Sequence, residues 1–536
     1  MSQTAHIAQP DAPATTASRS IDLVSVMTAT GIAVLALAVR LRDIGRESMW
    51  LDEAGRIAIA QLPFGQIAHG VAAIELSPPL YHYLLAAWMQ LFGTSDVAIR
   101  TFSAMLVIPS VALAWRLGRV VGGASGAALT ALLVALSPFA IHYGQEAAMY
   151  GLLLPLALAT LLAAIGVLDG SRDTRARWLV AYVVFGTLAL YTHYYAVLLL
   201  GTIGLAAVVH AGRLRAWHGV VAWIGAHVVI GLAFLPWAPV ALEQVRLAAS
   251  VEDWIGVAPV DAANQWAAAL LADGAPAAQT GGALALAVVG VALGSWRLRK
   301  RLVLCALLTA LVLLPLALAI ALAGPVHAFR PRGFIAVAPA LWLLLAVALA
   351  PGRGGGWEPL AWLLSGVMLG ATPGRWRVWD PASRLLMGLA VAHVTVVGLT
   401  HHWQERKEDW RGAAGLVSAR ADAADPIIFV HFASELAFDR YFRGPQRRIG
   451  LPQSFIWDEG YRAPYRVTAD DVQRRLPPVL DGKRQAWLVL SHDAGRGGDV
   501  VMRYLEAWSD GGDSRFDVPL VGVRVISYTR PDAARS

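Results

Sequence analysis

Cysteine and charged residues are both scarce in this chain. Of its 536 residues only Cys305 is a cysteine, and only 15% are Asp, Glu, Lys or Arg. One cysteine inside an apolar run excludes an intrachain disulfide and a multi-cysteine metal site. The low charge and the 57% of hydrophobic residues exclude an ordinary soluble protein and indicate a multi-span membrane protein. The net charge of +7 is scattered over short loops, which is not the pattern of a nucleic-acid-binding protein.

Long apolar runs make up most of the chain up to residue 401. Residues 1–20 are rich in Ala, Ser, Thr and Pro and predict a disordered tail. The next run has no small-residue cleavage site, so we expect a retained span rather than a signal peptide. We expect about 11–13 transmembrane helices in total, since a span needs roughly 20 apolar residues. The clearest runs are 21–39, 100–118, 123–141, 149–168, 178–192, 194–211, 219–237, 281–296, 302–323, 333–350 and 384–400.

Basic residues in alternate loops predict the orientation of these spans. Loops rich in Arg and Lys face the cytoplasm, so the intervening loops 40–99, 142–148, 238–280 and 324–332 should face outward. The segment 357–371 is too short and too basic at both ends to be a clear span, and we expect it to be interfacial. The C-terminal part then lies outside; if 357–371 spans, that part is cytoplasmic. The basic loop residues are Arg116, Arg119, Arg172, Arg175, Arg177, Arg213, Arg215, Arg297, Arg299, Lys300 and Arg301.

Acidic residues stand at the outer ends of two spans. Asp52 and Glu53 follow the first span in the segment Trp50-Leu51-Asp52-Glu53-Ala54, and Glu146 follows a later one. Acids at the edge of a helix bundle are costly to bury, so they predict a functional site. A carboxylate of this kind can act as a general base, and Asp52 is our candidate. The alternative is an acid pair that caps a helix beginning near Ala54.

Arginines and aromatic residues in the outward loops are candidate ligands for a substrate. Arg330 and Arg332 lie in an outward loop, where the charge rule does not expect positive residues. They suit contact with a phosphate, although they could instead reach lipid head groups. The run 79–92 predicts an interfacial helix. We expect Tyr81, His82, Gln145, His193 and Tyr194 to bind substrate, with an aromatic belt at the membrane interface as the alternative for the histidines and tyrosines.

A bound metal is not expected from the spacing of the candidate ligands. Asp52, Glu146 and a histidine carry suitable donor atoms for a divalent ion, but they show no compact ligand motif. We therefore expect no cofactor.

The composition changes near residue 402, where a polar stretch begins. Helix-like and strand-like segments then alternate, which predicts a small soluble α/β domain over 402–536. No glycine-rich phosphate loop or catalytic set is present, so we expect an accessory or acceptor-binding domain. The predicted strands are 427–432, 487–491 and 521–529, and the predicted helices lie before 421 and over 434–442 and 499–509.

Five motifs in order resemble one family, the bacterial GT-C fold glycosyltransferases related to the protein O-mannosyltransferases and to the aminoarabinose transferase of lipid A. The resemblance implies transfer of a sugar from a polyprenyl-phosphate carrier to a cell-envelope acceptor on the outer face of the inner membrane, with inversion. It also implies that Asp52 is the catalytic base, and that its neighbour Glu53 and the second-loop acid Glu146 are catalytic residues as well. The motifs are Trp50-Leu51-Asp52-Glu53-Ala54, Ser77-Pro78-Pro79-Leu80-Tyr81, Tyr143-Gly144-Gln145-Glu146-Ala147-Ala148-Met149-Tyr150, Tyr191-Thr192-His193-Tyr194-Tyr195 and Lys407-Glu408-Asp409-Trp410-Arg411.

Two positions depart from the family pattern. The family often has arginine where Ala148 stands, and Arg-Tyr where Arg332-Gly333 stands. Losing the first cation could weaken a contact to the donor phosphate, which bears on the identity of the carrier or sugar.

Two other classes of function compete with a transferase. A transporter or flippase for a lipid-linked glycan would use the acids for proton coupling, but such proteins more often carry ionisable groups at the midplane and show internal repeats. A scaffold of an envelope complex would explain the C-terminal domain but not the acids.

Overall fold

The computed structural model describes residues 23–250, 259–323, 331–351, 376–454, 466–493, 497–509 and 516–530. The described part up to residue 404 is helical. Its helices are α1 (Leu23–Leu41), α2 (Leu51–Ala60), α3 (Ile67–Ile74), α4 (Leu80–Phe92), α5 (Asp96–Met105), α6 (Val107–Leu136), α7 (Pro138–Gly144), α8 (Tyr150–Asp169), α9 (Arg172–Leu190), α10 (Ala196–Arg213), α11 (Trp217–Phe234), α12 (Ala238–Ser250), α13 (Pro259–Ala272), α14 (Ala277–Leu298), α15 (Leu302–Ala323), α16 (Ala338–Leu349) and α17 (Trp376–Gln404), with 3₁₀ turns at Phe64–Gln66, Leu235–Trp237 and Pro331–Ala336.

Each of the eleven predicted apolar runs falls on a helix. Seven helices in the described part are long and apolar enough to span a membrane, and one of them, Asp96–Leu136, covers 100–118 and most of 123–141. The runs 178–192, 281–296 and 333–350 correspond to α9, α14 and α16. The expectations for 1–20 and 357–371 concern residues outside the described ranges.

A glycine divides the longest helix into two antiparallel arms. Gly123, inside α6, has φ 70° and ψ −156°, which is open to glycine but costly for other residues. Its two arms fold back so closely that a Cβ on Gly118 would lie 2.3 Å from the carbonyl oxygen of Gly126. The runs 100–118 and 123–141 are therefore two separate passes, as the sequence predicts.

The loops predicted to face outward meet at one end of the bundle. Asp52 lies near Arg332 there, and His142 contacts Asp273. At the opposite end Arg301, from a loop predicted to be cytoplasmic, forms an ion pair with Asp169 and donates to the carbonyl of Val120. These contacts agree with the predicted alternation for the loops that they join, and the assignment of one end to the cytoplasm stays a prediction.

The interior of the bundle is formed by helices that are apolar on all sides. Nearly all residues of α8 and α16 are buried, which is expected of helices without a polar face. In contrast, α1, α11 and α17 expose many large aliphatic side chains, such as Leu23, Val228 and Leu386. These exposed surfaces suit contact with lipid.

The C-terminal part is a small α/β domain, as expected. Its strand order is β2-β1-β3-β5-β4, with β1 parallel to β2 and β3, and with β5 antiparallel to β3 and β4. All predicted strands and helices are present, whereas β2, β4, α20 and α21 were not predicted. The elements are α18 (Trp410–Arg420), β1 (Ile427–Val430), α19 (Ser434–Asp439), β2 (Arg448–Gly450), α20 (Ala469–Arg475), α21 (Pro477–Leu480), β3 (Gln485–Leu490), α22 (Gly498–Trp508), β4 (Phe516–Leu520) and β5 (Val523–Thr529).

This domain lies directly on the end of the bundle that carries Asp52. One face of its sheet packs into a core that includes Trp410 and also Ala54 of α2. Asp96 of α5 accepts hydrogen bonds from Arg411, Arg440 and Tyr441. The C-terminal domain and the predicted active site therefore share one side of the bundle.

Candidate functional site

Asp52 lies in the first turn of α2, at the edge of the bundle. The helix begins at Leu51, and acids in a first turn are favoured by the helix dipole. The Asp52 side chain is 33% exposed, with Oδ2 at 3.5 Å from a terminal nitrogen of Arg56 and 3.6 Å from one of Arg332. The carboxylate is thus held between two cations and open to a substrate.

Glu53 has a different environment from its neighbour. It is fully buried, and its oxygens accept two bonds from Arg100, at 2.9 and 2.5 Å, and one from the backbone of Ala147 at 2.8 Å. Burial would raise its pKa, but Lys407 and Arg100 hold it below the usual value. Glu53 also accepts the N–H of Trp50 at 3.4 Å, so the capping alternative describes this acid in part. Its geometry is that of a positioning residue.

Behind Asp52 a buried triad joins α2 to the start of α4. Arg56 donates to Glu75 at 3.0 Å, and Glu75 lies 3.8 Å from His82. Burial would raise the pKa of Glu75, but Arg56 and His82 lower it to about 2. One terminal nitrogen of Arg56 is buried and has no hydrogen-bond partner among the described residues. The arginine that pairs with Asp52 thus keeps one donor without an acceptor.

Glu146 is brought to the same region by α7. Its Oε1 accepts a bond from Lys407 at 2.6 Å and lies 3.3 Å from Nε2 of His142. Burial would raise the pKa of Glu146, but Lys407 and His142 hold it well below its usual value. Lys407 is also 3.7 Å from Glu53, so a residue that follows the last span links the acids of two loops.

Arg332 is next to aromatic residues on the other side of Asp52. Its guanidinium lies 5.9 Å from the ring centre of Tyr150, and the ring of His193 is 5.2 Å from that of Tyr150. Burial and the nearby Arg332 lower the pKa of His193 to about 3, so its imidazole is neutral. Asp52, Arg332 and His193 thus belong to one region.

Three of the predicted substrate residues make their contacts elsewhere. The hydroxyl of Tyr81 is buried against Ser103 at 3.0 Å. Tyr194 hydrogen bonds to Gln244 and accepts a bond from Trp237 at 2.9 Å. Gln145 donates to the backbone carbonyls of Arg40, at the end of α1, and of Arg42, just after it. His82 is buried behind Arg56, and Arg330 lies outside the described residues.

One cluster in the described ranges has the donor atoms for a metal ion. His142, Asp273 and His402 each place a ligand atom within 4.8 Å of the others. Asp52 is not part of it, so the set considered from the sequence, with Asp52 and Glu146 as ligands, is not the one that the fold assembles.

Sequence reasoning missed four residues of this region. Arg56 is four residues after Asp52, and an acid and a base at this spacing lie on one face of a helix. No local sequence pattern marked Arg100 or Asp273 as part of the site, because their ionic partners are distant in sequence. Lys407 lies in a motif shared with the family but received no role.

Comparison with known proteins supports the resemblance. Residues 77–239 match the profile of a family described as dolichyl-phosphate-mannose-protein mannosyltransferase. The structure is similar to that of ArnT from Cupriavidus metallidurans in the apo state, with a TM-score of 0.59, 17% identity and coverage of 96% of this chain and 100% of that one. The same protein bound to undecaprenyl phosphate gives a TM-score of 0.57, again at 17% identity and 96% and 100% coverage.

A more distant likeness is to the archaeal oligosaccharyltransferase AglB from Archaeoglobus fulgidus, in complex with an inhibitory peptide and a dolichol-phosphate. The TM-score is 0.50 at 11% identity, with 96% of this chain and 75% of that chain covered. A search of curated proteins by sequence finds no match. The predicted fold, a GT-C membrane bundle with a small C-terminal α/β domain, is confirmed.

Proposed function

We propose that this chain is a membrane glycosyltransferase that takes its sugar from a polyprenyl-phosphate carrier. The observation that carries the proposal is the position of Asp52: a one-third-exposed carboxylate within 3.6 Å of two arginines, at the edge of a lipid-facing bundle. One protein with this fold binds undecaprenyl phosphate, and another is an oligosaccharyltransferase in complex with dolichol-phosphate. A base and phosphate-binding cations side by side suit such a donor.

The chemistry follows from the carboxylate of Asp52 and the arginines beside it. A hydroxyl of the acceptor attacks the anomeric carbon while Asp52 takes its proton, because a neutral hydroxyl is a poor nucleophile. The bond from the anomeric carbon to the phosphate oxygen breaks, and the phosphate leaves with both electrons. Arg332 and the unpaired nitrogen of Arg56 stabilise the charge on that phosphate. Attack from the face opposite the leaving group gives inversion.

The other predicted catalytic acids support the site without touching the reacting atoms. Glu53 fixes the first turn of α2 through Arg100, and Glu146 fixes Lys407. His193 and Tyr150 line the wall beside Arg332, where a sugar ring or an isoprenoid would pack. We assign substrate contact to this wall rather than to Tyr81 or Tyr194.

We place the site and the C-terminal domain in the periplasm, at the outer face of the bacterial inner membrane. The positive loops at the opposite end of the bundle support this orientation. The acceptor is then a lipid, glycan or protein of the cell envelope. Because its core includes Ala54 of α2, the C-terminal domain is well placed to cover the site and select that acceptor.

A transfer assay in detergent separates this proposal from a transporter. The purified protein is mixed with polyprenyl-phosphate donors that carry a labelled hexose or a labelled pentose, and with an envelope extract as acceptor. A transferase moves label to the extract without any intact membrane. A transporter needs two compartments and leaves all label on the carrier, and that result would refute the proposal.

Replacing Arg332 by alanine is expected to weaken donor binding. A charge-assisted hydrogen bond contributes about 1.5–3 kcal/mol, so the donor KM should rise roughly tenfold to a hundredfold. The acceptor KM should change little. Arg246→Ala, which removes a cation that is 79% exposed, is the matched control. A shift confined to acceptor kinetics would mean that the Arg332 loop binds the acceptor instead.

A topology reporter tests the orientation. An enzyme that is active only in the periplasm, fused after Ser536, should be active, since the C-terminal domain contacts the same end of the bundle as Asp52. A second reporter in the loop at Lys300, at the opposite end, should be active only in the cytoplasm. The reverse pattern would place the whole site in the cytoplasm.

A further inference from the structure

A cluster of two histidines and one aspartate lies beside the proposed active site. His142 comes from α7, Asp273 directly follows α13, and His402 is near the end of α17. Their side chains are 17%, 5% and 10% exposed. Elements far apart in the chain thus bring three good metal ligands to one buried point at the end of the bundle.

Hydrogen bonds determine which nitrogen of His402 carries a proton. Gln145 donates its amide nitrogen to the carbonyls of Arg40 and Arg42, at 2.9 and 2.8 Å, so its Oε1 must point the other way. That oxygen lies 2.7 Å from Nε2 of His402. Because an amide oxygen only accepts, Nε2 carries the hydrogen, and neutral His402 has its lone pair on Nδ1.

The lone pair of His402 points at an acid. Its Nδ1 lies 3.4 Å from Oδ2 of Asp273, is buried, and has no hydrogen-bond partner in the described part of the chain. A buried lone pair beside a carboxylate is unfavourable unless a proton or a metal cation lies between them. This atom is therefore an unsatisfied group aimed into the cluster.

His142 repeats the same arrangement from the opposite side. Its Nδ1 lies 2.9 Å from the same oxygen of Asp273, and its Nε2 lies 3.3 Å from Oε1 of Glu146. Both rings thus direct Nδ1 to Asp273 and Nε2 to an oxygen acceptor. Metal-binding histidines are held in this way, with the second nitrogen donating to a carboxylate or an amide.

The backbone of Asp273 also indicates a constrained position. Its φ is 50°, and Gly274 after it has φ 73°. These angles form the C-terminal cap of α13, in which the N–H of Gly274 donates to the carbonyl of Ala268, and the cap fixes the backbone at Asp273. A cavity of about 70 Å³ borders the cluster, because His142 and His402 belong to its lining together with Gln145, Arg42 and Lys407.

We propose that His142, His402 and Asp273 bind a divalent transition metal of the zinc type. Imidazole nitrogens and one carboxylate form a ligand set that suits zinc when thiolates are absent. The site does not include Asp52. The site joins α7, the end of α13 and α17. It lies next to Glu146, which binds Lys407, and it therefore helps to position Lys407. The sequence alone led us to expect no metal.

Titration of the purified full-length protein with Co²⁺ after treatment with a chelator tests the site. We expect about one Co²⁺ per chain, with visible absorption bands that Zn²⁺ abolishes. Asp273→Asn and His402→Ala should remove these bands. His401→Ala changes the neighbouring histidine of the same helix, which is not in the cluster, and should keep them.

A further variant separates loss of the site from loss of the fold. Gln145→Leu keeps all three ligands but removes the acceptor of His402 Nε2, and should weaken Co²⁺ binding about 10–100-fold. Wild-type protein that binds no more Co²⁺ than a well-folded Asp273→Asn variant would refute the proposal. So would equal affinity in the wild type and in Gln145→Leu.

Discussion

Replacing Asp52 by asparagine is expected to lower kcat roughly a hundredfold or more. A positioned general base contributes about 10²–10⁴-fold, and the amide cannot take the proton of the acceptor. Folding should be little affected, because Asp52 is one-third exposed and its two arginine partners are at 3.5 and 3.6 Å. Steady-state transfer by the purified variant, with thermal stability measured in parallel, checks both expectations.

The matched control for this change is Asp43→Asn. Asp43 is an acid at the same end of the bundle, 54% exposed and paired with Arg42. Its replacement should leave kcat within a factor of about two, since exposed ion pairs contribute little. Near-normal turnover by Asp52→Asn would show that another group is the base.

Replacing Glu53 by alanine should have its main effect on stability. The change leaves the guanidinium of Arg100 buried without its carboxylate, and breaking such a pair costs about 3–5 kcal/mol. A marked loss of thermal stability in detergent is expected, together with low yield. Glu47→Ala, which removes a more exposed acid paired with Arg406, should cost less than about 1 kcal/mol.

The two adjacent acids can therefore be distinguished by experiment. If Glu53→Ala keeps its stability but loses turnover, then Glu53 takes part in the chemistry, as the sequence alone suggested. We expect the Glu53→Ala variant to unfold. In that case turnover can be measured with the milder Glu53→Gln, which keeps one acceptor oxygen for Arg100. Turnover by that variant should remain well above that of Asp52→Asn.

Local patterns were enough to predict the bundle and most of the small domain. A membrane span is encoded in one continuous apolar run, so all eleven runs fall on helices. The buried strand at Ile427–Val430 was equally clear, because all four residues are apolar. The strands Arg448–Gly450 and Phe516–Leu520 were missed, since one has only three residues and the other contains Pro519.

The site could be predicted only in part, because its ionic contacts join distant segments. Asp52, Glu146 and Arg332 were found from their places in loops. The partner of Glu53 is Arg100, and the partner of Glu146 is Lys407, 261 residues away. Nothing local to Asp273 marked it as the acid that faces two histidines. Such pairings depend on how the helices pack, and single-sequence patterns do not contain that information.

The measurement that tests the central claim most directly is a single-turnover experiment with a doubly labelled donor. The sugar and the polyprenyl phosphate carry different labels, and protein in excess is quenched at successive times. We predict that wild-type protein releases free polyprenyl phosphate at the rate at which sugar appears on the acceptor. The Asp52→Asn variant should bind the donor normally but leave both labels on one molecule. Equal rates for the two proteins, or a donor that is never cleaved by either, would contradict the assignment of Asp52 as the base of a glycosyl transfer.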